Sequence, residues 1–544
     1  MNGLFMDRPL IISSILKHAD AMFADSEIVS VTADNPRHRY TYAEAFARTR
    51  QLANALCEYG IQQGDRIATL AWNDYRHFEL YYAIAGVGAV THTVNPRLFP
   101  EQITYIIQHA EDRLVFVDPL ILPVVEALKD QLKCVEQYIV LTDDEHMPQS
   151  SLQNIQSYES FIQNSPEEFD WPDLDENHAS GLCYTSGTTG NPKGVLYTHR
   201  ANVIHSYASL TPDVFGFSAM EVALPIVPMF HVNAWGVPHA AAMVGTKIVL
   251  PGPKMGDGET LQKLIEEEKV TFSAGVPTVW LALLNYLEES GKSVDTLERV
   301  IVGGAACPES IMRDFQKKHG VYMKHAWGMT ETGPLGTVNT RVPGMDKLPE
   351  DEQFRLRLKQ GRSVFGIELK IVDDDNNELP RDGESSGLLK VRGPWVCSDY
   401  FKLEGESEAH DEDGWFATGD VANIDEKGYL QITDRAKDVI KSGGEWLSSI
   451  DLENEAVGHP DVSEAAVIAI PHPKWSERPL LVVIKREGAQ LSKEQVLEWL
   501  KDRVVKWWLP DDVVFVDEIP HTATGKIHKL TLREQFRDYQ FPAE

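Results

Sequence analysis

Residues 182–194 read LCYTSGTTGNPKG. Leu182 to Thr185 is a short apolar strand, and it runs into a loop in which hydroxyls and glycines alternate before Lys193. Glycines let backbone N–H groups approach phosphate oxygens, and serine and threonine hydroxyls add further donors. The spacing is not that of the GxxxxGK[ST] phosphate loop. On composition alone a flexible surface linker also fits. A strand delivering such a loop is typical of a layered α/β sheet.

The surrounding sequence keeps the same texture. Ile67 to Ala71, Val90 to Val94, Leu114 to Val117 and Tyr138 to Leu141 read as strands, and Tyr75 to Gly88 as a helix. A polar, proline-containing stretch from Thr142 to His178 interrupts the pattern. It resumes with strands at Lys247 to Leu250, Val270 to Ser273 and Val300 to Val302. The reading is of two similar sheet-and-helix halves. From about Gly361 short strands alternate with turn signals such as DDDNNELPRDGES, which predicts an antiparallel, barrel-like piece over 361–433. After the charged segment DRAKDVIK, strands at Ala465 to Ile470 and Leu480 to Ile484 and a helix from Ser492 to Val505 predict a small α+β domain. The expected fold is therefore α/β, with a large N-terminal domain over 1–433, a hinge at 434–437 and a small mobile domain over 438–544.

The 544 residues carry a formal net charge of −31, with 43% apolar and 24% charged residues. About 150 residues per domain makes three or four units. So acidic a chain opposes nucleic-acid binding, and a polyanionic ligand needs a local cluster of cations. Five scattered cysteines without a CxxC pair fit reduced thiols rather than a zinc site or disulfide framework. No signal peptide or integral membrane segment is read, and the cytoplasm is the expected compartment.

Further strings follow the loop in a fixed order: GGAA at 303–306, HAWGMTETGP at 325–334, TGD at 418–420, DRAKDVIKSGGEWLSSIDLE from Asp434, and HTATGKI from His521. Together with YTSGTTGNPKG they resemble the adenylate-forming superfamily of acyl-CoA synthetases, luciferases and peptide-synthetase adenylation domains. The resemblance implies an enzyme that converts a carboxylic acid and ATP into an acyl-adenylate and diphosphate, then passes the acyl group to coenzyme A. It implies that Thr185, Ser186, Gly187, Thr188, Thr189 and Lys193 hold the ATP phosphates. Gly304, Ala305, Ala306, His325, Ala326, Trp327, Gly328 and Met329 would line the adenine and acyl pockets, and Thr330 would touch phosphate. Glu331, with Thr185, would hold Mg2+. Asp420 and Arg435 would bind the ribose hydroxyls, and Lys526 would be the catalytic lysine of the first half-reaction.

The chemistry fits those residue types. A thiol cannot displace oxide from a carboxylate, but AMP is a good leaving group. Making the mixed anhydride brings two anions together, so positive charge must neutralise them. Lys437 sits at the hinge position of the resembled family, where the small domain rotates between the two steps. Lys441, beside Gly443 and Gly444, would face the site during thiol transfer; a solvated lysine beside a turn reads equally well. The loop IPHPKWSERP, with Lys474, Trp475 and Arg478, could receive the nucleotide end of coenzyme A or be plain surface.

The segment PMFHVNAWGVPHAAA, 228–242, resembles the acyl-pocket region. No acid follows Phe230 to pair with a substrate amine, which argues against an amino acid. His231 would lie near the carboxylate or gate the thiol path, and Trp235, Val237, Gly303, Trp327 and Gly328 would shape the pocket. FHVNAWGVP and SGGEWLSS are most like medium-chain fatty acyl-CoA synthetases and 3-methylmercaptopropionate ligases, which implies a short or medium, mostly apolar acid. An aryl- or cinnamate-type CoA ligase and a non-catalytic nucleotide-binding protein are the alternatives. A homodimer is implied only by the resemblance.

Overall fold

The computed structural model describes residues 3–185, 191–403, 405, 407, 409–442, 445–521 and 526–541. The strand before the phosphate loop, Ala179–Tyr184, lies near one edge of a seven-stranded sheet. Its strand order is Ile155–Ser157, Gln137–Val140, Leu114–Val117, Arg66–Leu70, Val90–Thr93, Ala179–Tyr184 and Gly194–Thr198. All neighbours are parallel except the last pair, where the chain returns from the loop antiparallel. The inner strands Leu114–Val117 (LVFV) and Arg66–Leu70 (RIATL) are largely buried and apolar, as parallel strands covered on both faces tend to be, whereas Val90–Thr93 (VTHT) buries Thr91, His92 and Thr93. The two faces form separate cores, one around Ile106 and Val125, the other around Leu80 and Ile84.

A nine-stranded sheet repeats the plan. Its central strands, from Tyr322–Gly328 through Arg299–Val302, Phe272–Gly275, Val222–Pro225 and Lys247–Leu250 to Glu27–Ser30, are parallel. The segment 361–433 gives a four-stranded antiparallel sheet of Glu368–Val372, Gly387–Arg392, Phe416–Ile424 and Leu430–Arg435. The C-terminal part is a five-stranded mixed sheet with helices Ser449–Val457, Lys493–Lys501 and Lys529–Gln535. The strong α/β signals are placed as the sequence indicates, with small shifts at the ends. The helix expected from Ser492 to Val505 ends at Lys501, and Ser492 is its cap, accepting from the Gln495 N–H.

Four elements lie outside the sequence reading. The N-terminal segment contributes strand Glu27–Ser30 to the second sheet, beside Lys247–Leu250, and helix Ile12–Phe23, whose Phe23 packs on Gly245 so closely that a Cβ there would lie 2.3 Å away. Within the stretch read as a polar interruption, Ile155–Ser157 adds a strand to the first sheet and Tyr158–Ile162 forms a short helix. The two strands and the helix Tyr158–Ile162 are too short for a period to show, whereas helix Ile12–Phe23 buries Ile12, Ile15, Leu16 and Ala19 at helical spacing.

That short helix joins the two halves. Glu159 accepts from Arg76 at 3.0 Å and from Arg48 at 3.0 Å. Arg76, on helix Tyr75–Gly86, also pairs with Asp34 at 3.2 Å, and Asp34 lies between two strands of the second sheet. Arg48 completes the network on buried Glu79 at 2.7 Å. Removing one partner of a buried network strands the others without compensation. Arg76→Ala is therefore expected to lower unfolding free energy by about 3 kcal/mol, read by chemical denaturation; a loss under about 1 kcal/mol would show the network to be dispensable.

Candidate active site

The strand Tyr322–Gly328 and the turn behind it set the acidic side of the site. Gly328 must be glycine, because a Cβ there would lie 1.9 Å from the Pro334 carbonyl oxygen. The turn Thr330–Thr332 follows, and Glu331 is buried. Burial pushes its carboxyl pKa up, while the Tyr400 hydroxyl, donating to Oε1 at 2.9 Å, works in the opposite direction. The Tyr197 hydroxyl donates to the Thr330 carbonyl at 2.7 Å, and the Cys397 N–H to that of Glu331 at 2.8 Å. A buried carboxylate with one oxygen engaged by a neutral donor is the hard-oxygen chemistry that suits Mg2+, which needs one or two carboxylates beside the nucleotide's own phosphates.

Asp420 lies on strand Phe416–Ile424, paired in register with Arg435. Its Oδ1 meets the Arg435 Nε at 2.9 Å and its Oδ2 accepts from the Trp327 Nε1 at 2.9 Å. A carboxylate has about four acceptor positions, so both oxygens can still receive ribose hydroxyls. Trp327 thereby links the TETGP strand to the TGD strand, and its ring packs against Gly336, where a Cβ would lie 2.4 Å away.

Lys526 arrives from the other end of the chain. It keeps exposed surface, yet it lies in a recess crowded by protein. Burial pushes its pKa down to about 8, with Arg435 adding to the shift and Asp420 and Glu331 opposing it. His231 also feels its charge; burial, helped by Lys526, brings that imidazole down to about 4. Lys526, the Asp420–Arg435 pair, Glu331 and His231 thus share one electrostatic neighbourhood.

On the phosphate side, the neck of the loop is closed by a pair of hydrogen bonds: the Thr185 N–H donates to the Lys193 carbonyl at 2.8 Å, and the Lys193 N–H to the Thr185 Oγ1 at 3.3 Å. Ser186, Gly187, Thr188 and Thr189 lie outside the described residues. The Lys193 ammonium rests 4.8 Å from the Tyr400 ring centroid. Gly304 has a left-handed φ of 80°. His325 holds the neighbouring backbone: Nδ1 is 2.8 Å from the Leu358 carbonyl oxygen and Nε2 is 3.4 Å from that of Ala305. It is a buried pin beneath the pocket. Ala305 and Ala306 follow in the same loop, and Ala326 and Met329 flank Trp327 and Gly328 on the adjoining strand and turn.

The acyl-pocket segment takes a form the sequence did not announce. Val232, Asn233, Ala234 and Trp235 all have left-handed φ angles of 46–57°, and Gly236 continues at 80°. Helix Val237–Val244 starts immediately after, with Val237 fully buried. The Trp235 indole lies over Gly303, where a Cβ would be 3.1 Å from the ring. His231 stands at the mouth of this turn, its Nδ1 3.8 Å from the Cys183 sulfur, beside a small cavity whose lining includes Thr93, Asn95, Tyr184 and Phe230.

The chain belongs to the AMP-binding enzyme family. The family matches residues 16–401, and the AMP-binding enzyme C-terminal domain matches residues 451–526. Over 538 residues it is 52% identical to a 3-methylmercaptopropionyl-CoA ligase of Ruegeria lacuscaerulensis, covering 99% of both chains. It is 48% identical to a medium-chain-fatty-acid–CoA ligase of Ectopseudomonas oleovorans, covering 99% of this chain and 98% of that one. Among solved structures, ATP-bound MatB from Rhodopseudomonas palustris superposes with a TM-score of 0.80 at 26% identity, covering 97% of this chain and 99% of that one. The anthranilate CoA ligase AuaEII in complex with anthranoyl-AMP gives 0.86 at 24% identity, over 98% of each chain, and shares the fold.

Several expected residues lie elsewhere or fall outside view. Arg478 is committed to structure: it holds Asp511 at 2.6 Å and donates to the Trp507, Leu509 and Ser442 oxygens, which leaves the loop's ligand-facing chemistry to Lys474 and Trp475. Lys441 lies on strand Ile440–Ser442 opposite Trp446, with its side chain outside the described residues, as are Gly443 and Gly444. Tyr400 was not foreseen; a tyrosine in VCSDYFK carries no local signal.

A lysine held near pKa 8 deprotonates below the ordinary lysine range, because the crowded recess disfavours the ammonium. Competitive acylation of ligand-free protein is expected to titrate Lys526 with a midpoint near 8. A midpoint above about 10, the free-lysine value, would take it out of the recess.

Proposed function

We propose that this acid–CoA ligase activates a short or medium, mostly apolar carboxylic acid, of the fatty-acid or 3-methylmercaptopropionate type, through an acyl-adenylate. The observation that carries the reading is the convergence of Lys526, Arg435, Asp420, Glu331 and His231 on one cleft beside the neck of the phosphate loop. Relatives along the full length of the chain carry CoA-ligase names, and two of them act on 3-methylmercaptopropionate or medium-chain fatty acids.

In the first half-reaction a carboxylate oxygen attacks the α-phosphorus of ATP, and diphosphate leaves with the electron pair of the broken P–O bond. Lys193 and the neck at Thr185 would receive the phosphates, and Asp420 with Arg435 the ribose. Bound to Glu331, Mg2+ supplies positive charge to the phosphate oxygens. The Lys526 ammonium would sit between the incoming carboxylate and the α-phosphate, where negative charge concentrates. His231, neutral at physiological pH, offers hydrogen bonding without a competing charge. In the second half-reaction the thiol of CoA attacks the acyl carbon and AMP departs.

Lys526 serves only the first step if the small domain turns between them. Contacts on either side of Lys437 support a pivot there: the Ala436 N–H is tied to the Gly419 carbonyl at 2.9 Å, while Asp438 pairs with Arg533 of the C-terminal helix at 2.6 Å. The rotation would exchange Lys526 for the strand bearing Lys441. Trp475, half-exposed under the Lys474 ammonium at 4.5 Å, offers an aromatic face to the adenine of CoA.

The decisive assay is acid-dependent exchange of labelled diphosphate into ATP over aliphatic, thioether and aromatic acids, with AMP release once CoA is added. No exchange with any acid would sink the reading and leave a nucleotide-binding protein without catalysis. Lys526→Ala should reduce exchange at least 100-fold, about 2.7 kcal/mol of barrier, and leave thiolysis of supplied acyl-adenylate within a few-fold; equal loss of both steps would refute the division of labour. Trp235→Ala removes the indole that lies over Gly303 and should move the preferred acid to longer chains. An unchanged chain-length profile would take Trp235 off the pocket wall.

A further inference from the structure

We propose that Tyr400 is a positioning residue that orients both Lys193 and Glu331, one by its ring and the other by its hydroxyl, ready for Mg2+-bound ATP. The inference rests on the adenylation reading above, in which those two side chains meet the phosphates and the metal.

Tyr400 touches both. Its hydroxyl donates to the Glu331 Oε1 at 2.9 Å, and the Lys193 ammonium lies 4.8 Å from its ring centroid. The segment that carries it is fixed on either side. Upstream, the Cys397 N–H donates to the Glu331 carbonyl at 2.8 Å. Downstream, the Phe401 N–H donates to the carbonyl of Gly194, the residue after Lys193, at 2.8 Å. Lys402 then anchors to Glu111 at 2.8 Å and to the His109 carbonyl at 3.1 Å. A strap from the antiparallel sheet therefore spans the metal-side turn and the exit of the phosphate loop, with Tyr400 at its middle.

The chemistry of the contact is what a charged receiver needs. Among the described residues no carboxylate pairs with Lys193. An aromatic face attracts an ammonium through its quadrupole without neutralising it, so the positive charge stays available to a phosphate. A phenolic hydroxyl orients a carboxylate while remaining neutral at physiological pH, so one Glu331 oxygen is fixed and the other is left for a cation. Phenylalanine would keep the ring and lose the hydroxyl; no smaller residue supplies the ring.

Binding measurements separate these contributions. Tyr400→Phe should weaken Mn2+-ATP binding about five- to tenfold, read by isothermal titration and by the electron paramagnetic resonance signal of free Mn2+. It should leave metal-free ATP binding in EDTA within twofold. Tyr400→Ala, which also removes the platform under Lys193, should weaken both. KM for the acid and thiolysis of supplied acyl-adenylate should stay within twofold in Tyr400→Phe. Mn2+-ATP binding equal to wild type in Tyr400→Phe overturns the proposal, as does equal weakening of metal-bound and metal-free ATP in that variant. If Tyr400→Ala does not fold, Tyr400→Phe decides alone. Wild-type protein that binds neither form of ATP would instead overturn the adenylation reading itself.

Discussion

Two anions, a carboxylate and a triphosphate, have to meet inside a protein whose own formal charge is −31. That electrostatic constraint explains why the site is assembled from distant parts of the chain. Lys193 comes from the first sheet, Arg435 from the edge of the antiparallel sheet and Lys526 from the C-terminal domain. Lys193 and Arg435 are aimed by the ends of strands, where carbonyls and N–H groups run out of sheet partners. Surface charge of the wrong sign is distant and screened over about 10 Å at ordinary ionic strength; the three cations act at contact range.

The same constraint governs how the cations are kept useful. Arg435 pairs with Asp420 at 2.9 Å, and Asp420 is further held by the Trp327 indole. That pair is fixed and partly spent, fitting a role in recognition. Lys193 and Lys526 are arranged differently. One rests on an aromatic face; the other stands in a recess where burial and Arg435 oppose its charge while Asp420 and Glu331 support it. An ammonium such as that of Lys193, resting on an aromatic face, keeps its charge for an incoming anion.

The architecture was legible where periodicity was strong. The strands around Leu114, Val300 and Leu480 and the loop from Tyr184 are continuous apolar or glycine-hydroxyl runs, and their physical meaning does not depend on distant contacts. The strand Glu27–Ser30 was not legible, because its four residues become a strand only by pairing with Lys247–Leu250. The helix Tyr158–Ile162 matters through Glu159, whose partners Arg48 and Arg76 lie far upstream. Arg478 looked like a ligand for an anion in a basic loop, yet its guanidinium is taken by Asp511 and backbone carbonyls. Tyr400 was missed for the same reason: its role is defined wholly by tertiary neighbours.

The turn Val232–Gly236 makes the limit sharpest. Four consecutive non-glycine residues in the left-handed region cost roughly 1–2 kcal/mol each, and nothing in the string VNAW asks for them. Such a backbone persists only where its surroundings leave no alternative. Here Asn233 donates to Asn202 at 3.3 Å, and Gly236 is pressed so near His205 that a Cβ would lie 2.9 Å from its ring. The Nε2 of His205 in turn accepts from the Leu335 N–H at 3.2 Å, and Trp235 closes on Gly303. The forces on the turn thus come from helix His199–Ser209, from the strand after TETGP and from the GGAA loop. Because the strained turn begins at His231 and carries Trp235, the two side chains and the elements packed on the turn are mechanically a single unit. A change on either side that relaxes the turn must therefore be felt on the other.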